Sequence, residues 1–352
     1  MSAPQTAPPL ACPLPLGAHE HVVLGHGSGG RLSAELMRDI FMPAFNCPAL
    51  AAQDDQAILP VEAGRIAIST DSFVVKPLFF PGGNIGELAV YGTVNDLAVG
   101  GAIPKYLSAA FILEEGLPFS TLKAVVDAMA AAARRANVEI VTGDTKVVER
   151  GSGDQIFINT TGIGVLPHRV QLGAARVEPG DAIILSGPLG DHGITILTQR
   201  EGMELDGDLK SDAAPLHELC RALVEGVPGI HAMRDLTRGG LSSALNEMAA
   251  TSKTGMELIE REIPVRDSVR GACELFGLDP LYVANEGKLI AFVPPEWAEA
   301  ALEILRSHPV GAEARIIGSV TSAHPGRVTM RTSLGTERIV DMLAGDQLPR
   351  IG

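Results

Sequence analysis

The clearest hydrophobic pattern in the chain lies between Asn84 and Pro104, a segment that is apolar on nearly every side. The residues that recur there at helical spacing are Ile85, Ala89, Gly92, Asp96 and Val99. The pattern predicts a buried helix with Asp96 on its apolar stripe. A buried carboxylate is costly unless it is paired or binds a metal. Asp96 is therefore either a ligand or a residue near the helix end at Gly100 that reaches solvent.

Strand and helix patterns alternate through the rest of the first half of the chain. The segments predicted as strands are 65–69, 105–113, 138–141 and 155–166, and the helices besides 84–100 are 31–41 and 121–137. Asp71 follows the first of these strands, and Asp144 and Lys146 follow the third. Ligand sites of mixed folds lie at such strand ends.

The second half has the same mixture after a junction at 167–180. Its predicted strands are 181–186, a short strand before Asp235, 289–293 and two or three closing strands within 315–340, and its helices include 214–225 and 296–306. We predict an α+β fold (mixed α/β) of two domains, an N-terminal sheet domain with helices and a C-terminal mixed-sheet domain. The predicted divisions are a flexible arm 1–23, domains 24–167 and 168–342, and a mobile tail 343–352.

Composition narrows the possible classes of protein. The chain has 352 residues, a formal net charge of −14 and scattered cysteines at Cys12, Cys47, Cys220 and Cys273. The charge argues against a nucleic-acid or anionic-membrane partner, and the cysteine spacing argues against a zinc site or a disulfide framework. No apolar run reaches the roughly 18 residues of a transmembrane helix, and the first residues lack the pattern of a secretion signal. We expect a cytoplasmic protein.

Acidic residues recur at turns and strand ends of the first half. They are Asp54, Asp55, Asp71, Asp96 and Asp144. Any one of them could be a cap or a solvated turn residue. Together with Lys146 and the glycine-rich turn Gly25 to Gly30, they favour a site for Mg²⁺ and a polyphosphate, because Mg²⁺ bridges phosphates to a few carboxylates.

Three motifs of the second half leave two interpretations each. Asp235 precedes the Gly239-Gly240 pair, which is either a turn before a helix or a place where a phosphate approaches the backbone. Glu286 is either an exposed turn residue or a general base in a cleft between the domains. His192, after the plausible helix cap Asp191, is either a ligand or a residue with a local hydrogen bond.

The motifs form a set whose order and spacing are specific. They are His26-Gly27-Ser28-Gly29-Gly30, Ser69-Thr70-Asp71-Ser72, Asn95-Asp96-Leu97-Ala98, Gly143-Asp144-Thr145-Lys146, Asp235-Leu236-Thr237-Arg238-Gly239-Gly240-Leu241 and Asn285-Glu286-Gly287. From about residue 24 onward the chain resembles the ATP-binding superfamily of aminoimidazole ribonucleotide synthetase and selenophosphate synthetase. Within it, the chain is most similar to the HypE family, the carbamoyl dehydratases of [NiFe]-hydrogenase maturation.

The resemblance implies that Mg-ATP binds between the two domains, near a homodimer contact formed by the N-terminal sheets. The ATP-binding residues it implies are Gly29, Gly30, Asp55, Asp71, Asn95, Asp96, Asp144, Thr145, Lys146, Asp235, Gly239 and Gly240. The metal ligands it implies are Asp54, Asp55, Asp71, Asp96 and Asp144. The catalytic positions are Glu286 as the base, Lys146 as a neutralising charge, and residue 352.

The family reaction, by resemblance, is an ATP-dependent dehydration in hydrogenase maturation. A carboxamide on the sulfur of a C-terminal cysteine becomes a thiocyanate, which donates the cyanide ligand of iron. The implied partners are the carbamoyltransferase HypF and the iron-carrying HypC–HypD complex. The family tail ends Pro-Arg-Ile-Cys, whereas this chain ends Pro349-Arg350-Ile351-Gly352. Glycine has no thiol, so we expect ATP binding without turnover.

Two other functions stay open on the sequence. A selenophosphate synthetase usually has a reactive cysteine or selenocysteine in its glycine-rich N-terminal stretch, but Gly25 to Gly30 contains neither and Cys12 lies in the loose arm. An ATP-binding scaffold that docks maturation partners without catalysis is favoured by Gly352. Gly352 is either an engineered replacement of the cysteine or a feature of a naturally inactive relative, and the intact Pro349-Arg350-Ile351 favours the first.

Overall fold

The computed structural model describes residues 20–27, 31–48, 65–203, 208–342 and 351–352. Four residues of the predicted site, Gly29, Gly30, Asp54 and Asp55, lie outside the described residues, as do most of the arm and of the tail.

The described residues form two sheets with helices packed on them. The helices are α1 (Arg31–Leu36), α2 (Met42–Phe45), α3 (Ile85–Val99), α4 (Phe119–Arg135), α5 (Asp191–Glu201), α6 (His217–Gly226), α7 (Gly240–Ser252), α8 (Asp267–Phe276) and α9 (Ala298–Arg306). The strands are β1 (Arg65–Phe73), β2 (Phe79–Phe80), β3 (Gly83–Asn84), β4 (Ile103–Glu114), β5 (Glu139–Val148), β6 (Ile156–Leu166), β7 (Ala182–Leu185), β8 (Ala232–Asp235), β9 (Gly255–Ile259), β10 (Leu289–Val293), β11 (Arg315–Thr321), β12 (Val328–Arg331) and β13 (Glu337–Ile339).

Both sheets are mixed, as the predicted fold class requires. The first has the order β1-β6-β4-β5, in which only β4 and β5 are parallel. The second has the order β13-β12-β9-β11-β7-β10-β8, in which only β9 and β12 are parallel. β2 and β3 form a small separate hairpin. The prediction of an α+β fold with two sheet domains is confirmed.

Helix α3 is the buried helix that the hydrophobic pattern predicts. Asn84 caps it, since its side chain accepts hydrogen bonds from the backbone N–H groups of Gly86 and Glu87. All of its fifteen residues are buried except Glu87 and Asp96. It packs against β1, β6 and α4 of the first domain and against α6 and β8 of the second. α3 therefore places Asp96 where the two domains meet.

No helix of the described ranges has both the length and the hydropathy needed to cross a bilayer, α3 included.

Three local predictions are wrong in detail. β1 continues to Phe73, so Asp71 lies within the strand and not after it. β5 continues to Val148, because it pairs with β4 along its whole length, so Asp144 and Lys146 also lie within a strand. The helix cap of α5 is Gly190 in a left-handed conformation, and Asp191 is the first helical residue.

Candidate functional site: an acidic cleft between the domains

Four acidic side chains from the two domains converge beside α3. Asp71 lies on β1 and Asp96 on α3, whereas Asp235 ends β8 and Glu286 precedes β10. The packing of α3 on β1 and β8 brings the elements together. The charges of Asp71, Asp96 and Asp235 all act on Glu286, so the groups are within electrostatic range of one another.

The environment of Asp96 opposes its negative charge. Burial raises the pKa of its carboxyl group, and the neighbouring charge of Asp71 raises it further. The hydroxyl of Ser69 donates a hydrogen bond to Asp96 Oδ2 over 2.7 Å and partly offsets the shift. A positive ligand at this place would relieve the remaining cost.

Asp235 and Glu286 are perturbed in the same direction. Burial, together with the charge of Asp96, raises the pKa of Asp235 to about 7. Burial also raises the pKa of Glu286 well above its ordinary range, and the charges of Asp212 and Asp235 add to the shift. Acids with raised pKa values in a cleft are typical of functional sites.

Asn95 joins the two domains through its side-chain amide. Its Nδ2 donates to the carbonyl oxygens of Ala214 and Glu286, each over 3.1 Å. Its Oδ1 accepts from the backbone N–H of Leu216 over 2.8 Å. Asn95 thus lies in the cleft with its polar atoms bound to the second domain, and its role in ATP binding stays a prediction.

The predicted metal ligands do not form a preassembled site in the described part of the chain. Within those residues, no three His, Cys, Asp or Glu side chains stand close enough to hold a metal ion. Asp71 and Asp96 can supply oxygen ligands, and Asp54 and Asp55 lie outside the described residues. Any cation bound here needs further oxygen ligands, such as phosphate or water.

Asp144 and Lys146 do not lie with the four acidic side chains that converge beside α3. Ser72, Asn159, Ala110 and Asp144 are paired in one row across the first sheet, so they share a face. Asp71 precedes Ser72 and therefore faces the opposite side, toward α3. Asp144 and Lys146 instead form an exposed ion pair of 2.8 Å, which lowers the pKa of Asp144.

The other predicted ATP-binding residues lie within β5 and at the start of α7. Thr145 is half-buried on β5, in register with Phe111 of β4. Gly239 precedes α7 in a left-handed conformation with φ of 71°. A Cβ atom at Gly240 would lie 2.6 Å from the carbonyl oxygen of Val283, so the close packing of α7 against 281–283 requires glycine there.

A buried ion pair between Lys288 and Asp212 adjoins Glu286, and the sequence analysis did not predict it. Lys288 Nζ lies 3.0 Å from Asp212 Oδ2, and Asp212 Oδ1 accepts from the backbone N–H of Glu286 over 3.0 Å. Burial opposes the ionisation of Asp212, but the charge of Lys288 lowers its pKa on balance. The pair holds the backbone of Glu286 in place.

His192 completes this group. Its Nδ1 lies 2.8 Å from Ser211 Oγ, and its Nε2 contacts the carbonyl oxygen of Ile351. Both partners are distant in sequence, so neither the predicted ligand role nor the local hydrogen bond describes it. The ring of Phe80 stands edge-on to it at 5.6 Å.

The last two residues of the chain lie in the cleft. Ile351 is 8% exposed and belongs to an apolar cluster that joins the first domain to α5 and α8 of the second. The backbone N–H of Val74 donates to the backbone oxygen of Gly352 over 3.3 Å. A Cβ atom added at Gly352 would lie 2.5 Å from Glu286 Oε1. The predicted mobility of the tail stays a prediction, but its end is at the site.

Comparison with known proteins defines the class to which this cleft belongs. Residues 53–166 match the family described as AIR synthase related protein, N-terminal domain, and residues 178–331 match AIR synthase related protein, C-terminal domain. The two described sheets and the cleft between them are thus those of an AIR synthase related protein.

The proteins that match nearly the whole chain belong to one narrower class, the HypE proteins. The carbamoyl dehydratase HypE of Azotobacter vinelandii is 54% identical over 330 residues, which cover 94% of this chain and 97% of the relative. A crystal structure of the hydrogenase maturation protein HypE in complex with ATP has a TM-score of 0.91 and 52% identity, covering 94% and 99% of the two chains. The HypE of a HypE–HypF complex has a TM-score of 0.76 and 47% identity, covering 88% and 99%. The chain belongs to the HypE family of hydrogenase maturation proteins, as its motifs predicted.

Proposed function

We propose that this chain binds Mg-ATP in the cleft between its domains and has the site of an ATP-dependent carboxamide dehydratase. Gly352 occupies the place of the cysteine that would bear the carboxamide. The carrying observation is the 2.5 Å between an added Cβ atom at Gly352 and Glu286 Oε1. A cysteine there would project onto this carboxylate, whose flexible end must yield slightly. The HypE solved with ATP supports the nucleotide part of the proposal.

The proposed reaction removes water from the carboxamide by way of a phosphate ester. The carboxamide oxygen attacks the γ-phosphorus of ATP, ADP leaves, and one N–H proton is lost. Loss of the second N–H proton then forms the carbon–nitrogen triple bond as the carbon–oxygen bond to phosphate breaks. The products are a thiocyanate, ADP and phosphate. Such a reaction needs positioning and charge stabilisation together with one base.

Glu286 is the proposed base. Its raised pKa makes the ionised carboxylate a stronger proton acceptor than an ordinary glutamate. Asp212 and Asn95 support it, since one accepts from its N–H and the other donates to its carbonyl. The backbone of the base is thus held from both domains.

The chemistry of the acidic side chains fits a magnesium–nucleotide ligand. Asp71, Asp96 and Asp235 place carboxylates in the cleft, and the pKa values of Asp96 and Asp235 are raised because burial and the neighbouring acids oppose their negative charge more than the nearby arginines favour it. Mg²⁺ binds one or two carboxylates together with substrate phosphates. When bound, the ion would neutralise charge and orient the phosphates.

A second function follows from Gly352. Without a thiol, the chain would hold ATP and dock partners but would not turn over. The HypE–HypF complex supports a HypF-like partner, and we propose the HypC–HypD complex as the acceptor for a chain with the cysteine.

The substitution Gly352→Cys tests the dehydratase. We expect the variant, given Mg-ATP and a carbamoyl donor such as HypF, to yield a C-terminal peptide lighter by one water than its carboxamide in mass spectrometry. The parent chain serves as the matched control and should give neither species. A variant that acquires the carboxamide but never loses water would exclude the dehydratase and favour the scaffold.

We also propose a homodimer formed through the open face of the first sheet. Ile66 and Ile68 project from β1 on the face away from α3 and are 56% and 68% exposed. Ile112 of β4 is 44% exposed on the same face. Asp144 and Lys146 lie on this face as well, so a dimer would bring them to the contact, and only through it could they join a nucleotide site.

Replacing Ile68 by Asp tests this contact. The charge would have to be buried unpaired in the dimer, which is costly, so we expect the mass from size exclusion with light scattering to fall from dimer to monomer. Leu275→Asp, at a residue 64% exposed on α8 of the other domain, is the matched control and should stay dimeric. Equal dimer fractions in both variants would place the contact elsewhere.

A further inference from the structure

A buried hydrogen-bond chain reaches the C-terminus from the second domain. The N–H of Ala213 lies 3.2 Å from Ser211 Oγ, and Ser211 Oγ lies 2.8 Å from His192 Nδ1. The other ring nitrogen, Nε2, contacts the carbonyl oxygen of Ile351. His192 has no exposed surface. The proposed chemistry uses none of these groups.

The partners of His192 define the direction of each hydrogen bond. A carbonyl oxygen only accepts, so Nε2 bears the hydrogen and donates to Ile351. Burial lowers the pKa of His192, which keeps the ring neutral and leaves Nδ1 as an acceptor. Ser211 therefore donates its hydroxyl hydrogen to Nδ1 and accepts from Ala213. Ser211 orients the ring for the contact with the tail.

Other contacts hold the same end of the chain from the first domain. Val74 N–H donates to the backbone oxygen of Gly352 over 3.3 Å, and the Ile351 side chain is buried. The terminal dipeptide thus lies between the domains. His192 Nε2 stands 4.0 Å from Glu286 Oε1, too far for a hydrogen bond, so the tail contact and the base are separate groups.

We propose that His192, oriented by Ser211, is the positioning residue that recognises the backbone of residue 351 and so delivers the side chain of residue 352 to Glu286. Recognition through a backbone carbonyl does not depend on the side chain at 352. The same contact therefore holds a tail that ends in glycine, in cysteine or in a modified cysteine. The catalytic purpose of this delivery rests on the proposed function, but the contact itself does not.

The test measures how readily the end of the tail leaves the cleft. In a Gly352→Cys chain without ATP or partners, the introduced thiol is labelled with iodoacetamide, and the peptide released by cleavage before Asp346 is quantified. The buried thiols of Cys47, Cys220 and Cys273 are internal references. Loss of the donor in His192→Leu should speed labelling of the terminal thiol roughly tenfold and leave the reference rates unchanged.

Two companion variants separate positioning from general loosening of the fold. His192→Gln retains an N–H donor and should restore slow labelling, whereas Ser211→Ala should give an intermediate rate. His231→Leu removes another half-buried histidine, which pairs with Asp181, and should leave the terminal thiol at the parent rate. Equal labelling in His192→Leu and the parent, or equal acceleration by His231→Leu, would overturn the proposal.

The labelling result and the dehydration result are independent. Faster labelling in His192→Leu with no dehydration by Gly352→Cys would support the positioning role of His192 and exclude the dehydratase. Dehydration by Gly352→Cys with no change of labelling in His192→Leu would exclude only the positioning role of His192. If both hold, Gly352→Cys with His192→Leu should dehydrate its carboxamide roughly tenfold more slowly at unchanged ATP affinity, and His192→Gln should restore the rate.

Discussion

In a Gly352→Cys background, Glu286→Gln should lower the rate of thiocyanate formation by roughly 10²–10⁴-fold, the usual contribution of a general base. The amide has nearly the same shape as the carboxylate but cannot take the proton. The carboxylate is buried beside Asp212 and adjoins the added Cβ atom at Gly352, whereas the predicted nucleotide ligands lie on other elements. The affinity for ATP should therefore change little. Single-turnover mass spectrometry and nucleotide titration measure the two effects.

The pH dependence separates a base from a merely structural residue. Glu286 acts as a base only when it is ionised, so the rate should fall as the pH drops through its raised pKa. The Glu286→Gln variant should lack this fall of the rate at low pH. Glu303→Gln, at an exposed glutamate of α9, is the matched control and should retain full activity. An active Glu286→Gln variant with the parent pH profile would assign proton removal to another group.

The second large effect is expected from Asp96, since Asp96→Asn should abolish Mg²⁺-dependent ATP binding and yet stabilise the free protein. Burial raises the pKa of Asp96, so its charge costs stability once the pH exceeds the unfolded value of about 3.9. The amide removes this cost. The melting temperature should be higher than that of the parent at neutral pH, and the difference should vanish near pH 4.

The opposite signs of the two effects make this test specific. A change at a residue that only maintains the fold lowers the melting temperature, whereas a change at a buried ligand residue lowers the affinity and raises the melting temperature. Asp127→Asn, at an exposed aspartate on α4 that pairs with Lys123, should change neither. Unchanged ATP affinity in Asp96→Asn would assign Asp96 to the buried helix only, whatever the melting temperature does.

The sequence predicted the parts of the site that belong to strong local patterns. α3 begins and ends within one residue of its predicted bounds, because its apolar run is a local signal. The family motifs also named the acids that converge in the cleft, namely Asp71, Asp96, Asp235 and Glu286. Their binding and catalytic roles stay predictions that the variants above test.

The parts that the sequence did not predict depend on contacts between distant segments. Lys288 and Asp212 pair across 76 residues of chain, and the polar stretch around Asp212 resembles an ordinary loop. His192 meets Ile351 across 159 residues. The face of Asp144 depends on the continuation of β5 beside β4, which no pattern of β5 alone reveals. Close to these unpredicted contacts, the sequence motifs pointed only to Glu286-Gly287 and to His192.

Asn95 has a mechanical consequence for the two halves of the proposed reaction. Its amide donates a hydrogen bond to the carbonyl oxygen of Glu286, while Asp96, the next residue, lies within electrostatic range of Asp71. Both side chains extend from one turn of α3, which packs against elements of both domains. A displacement of this helix would therefore move the proposed base, Glu286, and the predicted nucleotide ligand, Asp96, in the same direction, so the distance between the two groups would be kept.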